Sequence, residues 1–169
     1  MNGLRLCWSN GMDNTIDNNT LSFFDYNLKN ITIKEEIIAI IKQYQKYFDS
    51  LVNDMELAMN IADKIFNHGM LIACVCQHEV IGFCAFYAND ITSKVSFITL
   101  IAVNDRYQNI GLGKKLLQKV CDISKQAGMD KIRLEVNNQN INAISFYEKN
   151  GFYFEKKCSD NSKLMIKDL

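Results

Sequence analysis

Hydrophobic positions along this chain change period several times, and each change marks an element. Ile37, Ile38, Ile41, Tyr44, Gln45 and Phe48 share one face at helical spacing, predicting an amphipathic helix over 34–49. Leu57, Ile61, Ala62, Ile65 and Phe66 make the face of a second helix, stopped by Asn67, His68 and Gly69. The pattern then becomes strand-like. LIACVC (71–76), a polar turn QHE (77–79) and VIGFCAFYA (80–88) read as a hairpin, rich in β-branched and aromatic residues. VSFITLIAVN (95–104) is long and apolar enough to lie centrally in a sheet, so three sequential strands form an antiparallel meander. Leu112, Leu116, Leu117, Val120 and Cys121 describe a helix over 111–127, ended by Gly128. KIRLEV (131–136) is a strand, and Ala143, Phe146 and Tyr147 mark a short helix ending at Asn150-Gly151. GFYFEKK (151–157) and KLMIKDL (163–169) close the chain as a strand pair. Ahead of all these, either LSFFDYNL (21–28) or the shorter NITI (30–33) supplies a first strand.

The resulting order is β-α-α-β-β-β-α-β-α-β-β, a mixed α/β (α+β) pattern of about seven strands and four helices. Residues 1–19, asparagine-rich and without a sustained period, read as a poorly ordered terminal segment, leaving 20–169 as a single domain. The 169 residues are 48% hydrophobic and 22% charged, which excludes intrinsic disorder as the main description. Nineteen basic residues balance nineteen acidic ones, so no global field argues for nucleic acid or an anionic membrane. No apolar run is long enough to cross a bilayer and the first ten residues have no signal core, so the cytoplasm is expected. The six cysteines, Cys7, Cys74, Cys76, Cys84, Cys121 and Cys158, are read as scattered through apolar stretches, without CxxC spacing or histidines at ligand intervals. They are expected to be reduced core residues, and no metal is expected.

Chemistry enters where the third strand of the meander ends. In VNDRYQNIGLGKKLL (103–117) a glycine-containing turn opens directly into an amphipathic helix, whose first turn offers unpaired N–H groups and the positive end of the macrodipole. Gly111 and Gly113 remove side chains that would hold a phosphate away, and Lys114 and Lys115 are two cations at an unfavourable helix end, which a polyanionic ligand would offset. A Walker loop ending at Gly113-Lys114 would need glycine at 108 and Ser or Thr at 115; the chain has Gln108 and Lys115. A dinucleotide fingerprint from Gly111 would need a small residue where Leu116 stands, and a βαβ unit where the meander stands. Both nucleotide readings fail.

A second segment narrows the choice. Gln108-x-x-Gly111-x-Gly113 opening a helix, followed after the next strand by Asn142-Ala143-x-x-Phe146-Tyr147-Glu148-Lys149-x-Gly151-Phe152, resembles the GNAT superfamily of acetyl-CoA-dependent N-acetyltransferases, most closely over 80–155. The resemblance implies that fold and acetyl-CoA as acetyl donor. It also implies that the backbone of Ile101, Ala102 and Val103 pairs with the pantetheine arm as a sheet strand would. The pyrophosphate would lie on the turn Gln108, Asn109, Ile110, Gly111, Leu112 and Gly113, with Lys114 close behind. Asn142 would hold the cofactor's amide region and Tyr147 would be the general acid. A phenol suits that task, since it must protonate a departing thiolate of lower pKa, although a helix tyrosine packing against Ala143 and Phe146 fits the same pattern. N–H groups near Val103 would stabilise the oxyanion.

No carboxylate stands in Val95-Ser96-Phe97-Ile98-Thr99, where some family members carry a basic glutamate. The base is then a water held by Thr99 or main-chain carbonyls, or one of Asp90, Asp105, Glu79 and Glu135, and the sequence does not choose among them. His68 and His78 read as solvated or capping residues. Tyr44, Tyr47, Phe48, Tyr87, Asp90 and Tyr153 are candidates for the acceptor groove, where aromatic and acidic groups would suit a cationic or sugar-bearing amine. Residues 86–103 look like small bacterial acetyltransferases, some associated with amino-sugar modification. The expected acceptor is therefore the primary amine of a small molecule, with amino sugars among the candidates. A protein or peptide acceptor and a non-catalytic acyl-CoA-binding module are the alternatives. An exposed apolar face on the terminal strands would make a homodimer unsurprising.

Overall fold

The computed structural model describes residues 22–25, 31–48, 54–76 and 79–169. Its elements run β1 (Ser22–Asp25), α1 (Ile31–Tyr44), α2 (Met55–His68), β2 (Met70–Cys76), β3 (Glu79–Tyr87), β4 (Val95–Val103), α3 (Leu112–Gln126), β5 (Lys131–Asn137), α4 (Ile141–Lys149), β6 (Tyr153–Lys157) and β7 (Ser162–Asp168). The strands form one seven-stranded sheet in the order β1-β2-β3-β4-β5-β7-β6. All neighbours are antiparallel except β4 and β5, which are parallel and joined through α3. The element order expected from periodicity is reproduced.

Most boundaries shift by a residue or two, and three differences stand out. The first strand is drawn from 21–28, whereas 30–33 holds the start of α1. The first helix begins earlier than 34 and tightens to a 3-10 turn at Gln45–Tyr47. Glu79 begins β3 instead of ending a turn. Residues 1–19 and His78 lie outside the described residues. Cys74, Cys76, Cys84 and Cys121 are buried free thiols, as expected, but Cys158 is exposed, because it follows β6 into the polar turn before β7. Cys7 lies outside the described residues. Burial pushes the Cys74 thiol up to about 11, so it behaves as an inert packing group.

Two apolar layers cover the sheet. α1 and α2 close one face through Ile37, Ile41, Tyr44, Ala62 and Ile65, packed on Leu71, Ala73, Phe83, Ala85, Leu100 and Ala102. Fully burying each large side chain among these contributes roughly 1.5–3 kcal/mol. Among the described residues, the strand positions in this layer come from β2, β3 and β4, and no helix covers the same face of β5, β7 and β6. α3 and α4 close the opposite face, where Leu112, Leu116, Val120, Ile144 and Tyr147 meet Ile98, Ile132, Leu134, Val136 and Met165.

The feature that positions the site lies in β4. Ala85 pairs with Leu100 but Phe86 pairs with Ile98, so Thr99 is an extra residue, a β-bulge. Strand side chains otherwise alternate, so Ile98 and Leu100 should share a face; the bulge instead sends Ile98 toward α3 and Leu100 toward α1. Pairing with β5 ends at the same place, since the last registered pair is Ile98 with Leu134. Beyond it, β4 stays with β3, β5 stays with β7, and the sheet is split between them.

Candidate active site

The split exposes main-chain groups. The Asn104 N–H donates to the Ile81 carbonyl across the β3 ladder at 3.0 Å. Antiparallel alternation then turns Ala102 toward β3 and leaves the N–H and C=O of Ile101 and Val103 facing the gap. Gln108 Nε2 reaches that row and donates to the Val103 carbonyl at 3.1 Å. The strand edge is thus placed to pair with an extended ligand as it would with another strand.

Opposite this edge, α3 begins without a side-chain cap. Asp54 caps α2 by accepting from the Leu57 N–H at 2.8 Å, and Asn140 caps α4 by accepting from Ala143 at 3.1 Å. The N-cap of α3 is Gly111, which has no side chain to offer and sits at φ +85°, in the left-handed region. Asn109 is also left-handed, at φ +63°. The Lys115 N–H makes the first helical bond, to Gly111, so the amides of Leu112, Gly113 and Lys114 have no acceptor within the helix. The two glycines serve different needs. A Cβ on Gly111 would meet nothing within 4 Å, whereas one on Gly113 would lie 3.2 Å from Phe146 Cζ. Gly111 is required by the turn, and Gly113 by the close approach of α4 as well as by access to the first turn.

These parts enclose a cavity of about 480 Å³. Ile101, Ala102, Val103, Gln108, Asn109, Gly111, Leu112, Gly113, Lys114, Asn142 and Tyr147 all line it. Of the residues expected there, Ile110 alone is not on the wall; it is 43% exposed, because the left-handed residues on either side turn it outward. Lys115 is also off the wall, one step round the helix from Lys114. Phe146, Ala143 and Asn150 complete the lining. Asn150 Nδ2 donates to the Phe146 carbonyl at 2.7 Å, and this helix-end role has no signature in the sequence beyond the Asn-Gly stop.

A second cavity of about 530 Å³ continues on the other side of the split, lined by Tyr47, Phe48, Thr99, Glu135, Asn137, Asn140, Ser162 and the flanking apolar residues of β4 and β5. Tyr147, Ile101 and Ala143 belong to both walls. Tyr147 is 7% exposed, with its ring tilted against Phe146 and Phe152 at 5.4 and 5.6 Å between centroids. Its hydroxyl makes no hydrogen bond with the other described residues. Burial, with a smaller contribution from the nearby Cys84 thiol, pushes its pKa well above the usual phenol value, so it is a neutral donor between the two cavities.

The other candidates separate cleanly. Tyr47 and Phe48 reach the second cavity; Tyr44, Tyr87, Asp90 and Tyr153 do not. Tyr44 is buried and donates to the Val80 carbonyl at 2.8 Å, and Tyr153 donates to Asp168 at 3.0 Å. Asp90 accepts from Thr92 and Ser93 within its own loop, which holds its carboxyl below the usual range. Asp105 is bound by Lys46 at 2.9 Å, and its backbone N–H donates to the Tyr47 hydroxyl at 3.1 Å, tying the end of α1 to the loop after β4. Glu79 stands at the hairpin end of β3. Among the expected bases, the structure brings only Thr99 and Glu135 to a cavity wall. His68 is exposed at the end of α2, where its carbonyl accepts from Asn89. No metal-binding group of His, Cys, Asp or Glu occurs, and no helix is long and apolar enough to cross a membrane, among the described residues.

A family model described as "Acetyltransferase (GNAT) family" matches residues 36–152. This chain belongs to the GNAT acetyltransferase family. The GNAT chain is 29% identical over 100 residues to the spermine/spermidine N(1)-acetyltransferase of Bacillus subtilis (strain 168), covering 55% of this chain and 66% of that one. It is 29% identical over 108 residues to the glucosamine 6-phosphate N-acetyltransferase of Trypanosoma brucei brucei, covering 60% and 71%. The match to the first of the curated relatives spans only 34% of that relative's length, and the next two span 66% each. Among solved structures, PaiA N-acetyltransferase of Thermoplasma acidophilum in complex with coenzyme A has the same fold, with TM-score 0.64 at 21% identity over 88% of this chain and 99% of that one.

Proposed function

We propose that this GNAT chain transfers an acetyl group from acetyl-CoA to the primary amine of a small molecule, with an amino sugar as the acceptor class. The observation that carries the reading is the pair of cavities meeting at Tyr147, one walled by an open strand edge and an uncapped helix start, the other by hydroxyl, amide and carboxylate side chains. The first fits coenzyme A in chemistry: the Ile101 and Val103 main chain would hold the pantetheine amides, and the Leu112–Lys114 amides with the Lys114 cation would hold the pyrophosphate. Gln108 donates to Val103 and to Asp105, so it supports the loop from which those contacts are made. Asn142 stands where the arm would pass α4. Acetyl-CoA supplies an activated thioester. Tyr147 supplies a proton at the sulfur, and the free N–H groups of the β4 edge polarise the carbonyl. The relatives named for spermidine and for glucosamine 6-phosphate acetylation both support a small primary amine.

The deciding experiment is calorimetric titration of acetyl-CoA into the protein and into its Gly111→Trp variant, followed by thiol release with an amine panel. Saturable binding is expected, and the variant should abolish it, because the side chain would stand in a left-handed turn at the phosphate end. Absence of binding to the folded wild type overturns the donor assignment. Turnover with lysine peptides in preference to glucosamine 6-phosphate overturns the acceptor class.

A further inference from the structure

The sequence leaves the proton acceptor undetermined, and the structure narrows it. We infer that Glu135 on β5 receives the acceptor's ammonium group and takes its proton, and that Ser162 on β7 is the positioning residue that aims it. The inference rests on the acetyl-transfer reading above and goes beyond it.

Glu135 is the only carboxylate on either cavity wall among the described residues, and it shares the second cavity with Tyr147. Its neighbours leave it available. On the same face of β5, Arg133 is engaged by Glu155 of β6 through Nε and Nη2. Glu135 forms no ion pair with any described residue; its partner is the Ser162 hydroxyl, which donates to Oε1. Since that hydroxyl has a single proton, the contact of 2.7 Å between Ser159 and Ser162 must be donated by Ser159. Ser159 in turn accepts from the Asn161 N–H at 3.2 Å. The chain of donors runs inward and ends on one carboxylate oxygen. Such a chain is strengthened by its own polarisation, and it leaves Oε2 for a ligand. The face of β5 and β7, which no described helix covers, supplies the entrance, with Tyr47 and Phe48 as aromatic walls suited to a cation.

The chemistry balances. One proton of the incoming ammonium passes to Oε2, freeing the nitrogen lone pair to form the C–N bond at the thioester carbon. The C–S pair leaves on sulfur, and the second amine proton ends on that thiolate by way of the Tyr147 hydroxyl. Glu135 then releases its proton to water, so amide, thiol and one proton are the products.

The titratable and charged groups around Glu135 are the Arg133–Glu155 pair, Lys156 of β6 on the same sheet face, Tyr47 and Tyr147. The test compares wild type with Glu135→Gln, Ser162→Ala and Ser162→Thr, using spermidine and glucosamine 6-phosphate as probes. For Glu135→Gln, kcat at neutral pH should fall about 100-fold or more, with the deficit shrinking as pH approaches the amine's own pKa. Calorimetry should show weaker amine binding to the protein without donor, and acetyl-CoA binding should be unchanged. Ser162→Ala should lower kcat several-fold and Ser162→Thr should restore it. A Glu135→Gln variant that keeps wild-type kcat and amine affinity overturns the assignment while acetyl transfer stands. A wild type that binds acetyl-CoA and releases thiol with no amine overturns both.

Discussion

At the scale of single residues, Tyr147 joins the two cavities, and its environment fixes what it can do. Burial holds its proton on, so it donates rather than accepts at any ordinary pH. Tyr147→Phe is expected to reduce kcat by about 100-fold while changing acetyl-CoA affinity little, since the ring packing on Phe146 and Phe152 survives; equal turnover in a steady-state assay would remove the residue from the mechanism. The pH profile carries its own signature. Because the pKa in the fold lies above the value in the unfolded chain, the stabilising effect of the neutral phenol is complete below about pH 10 and is lost as pH rises beyond it. Rate should show no alkaline limb from this group below that pH. Much of the wall of the first cavity was legible in the sequence because it is local: Gln108 to Lys114 lie in one turn and helix start, and Asn142 to Tyr147 in one helix. On the wall of the second cavity, Thr99, Glu135, Tyr47 and Phe48 were named only among several candidates and Ser162 not at all, because these residues come from separate elements and only the split brings them to one wall.

At the scale of elements, the close approach of α3 and α4 is governed by Gly113. A methyl group there would press into the Phe146 ring at 3.2 Å, and Phe146 in turn supports Tyr147. Gly113→Ala should therefore cost about 1–3 kcal/mol of stability and weaken acetyl-CoA binding together, readable as a lower melting temperature and a higher Kd. Gly111→Ala has ample space and meets only the left-handed penalty, so a smaller loss is expected there. The order of strands and helices could be read from periodicity, because each helix shows one apolar face and each strand a short apolar run. The bulge at Thr99 could not. The local sequence, VSFITLIAV, carries no turn or glycine signal to mark it, and the change of face depends on two different layers claiming Ile98 and Leu100.

For the molecule as a whole, the split divides the sheet into a part clamped by α1 and α2 and a part on which no described helix lies against that face. Lys46, Tyr47 and Asp105 link the end of α1 to the loop after β4 that leads into the wall of the first cavity. Hydrogen exchange should show the Ile101 and Val103 amides exchanging quickly in the free protein and slowly with coenzyme A, while the Ile98 amide, inside the paired region, changes little. Unaltered exchange at Ile101 and Val103 under saturating ligand would mean that the β4 edge is not the binding surface.

The gap between β4 and β5 also means that the sheet is one strand short of continuous, and on the proposed reading the missing strand would be borrowed from a metabolite. At ligand concentrations about 100 times Kd, the borrowed strand would add about 2.7 kcal/mol to the fold. For a chain of this size that corresponds to roughly 5–10 °C in melting temperature. Durability of the protein would then follow the supply of acyl donor, so that a cell running short of acetyl groups would hold a less resilient enzyme as well as an idle one.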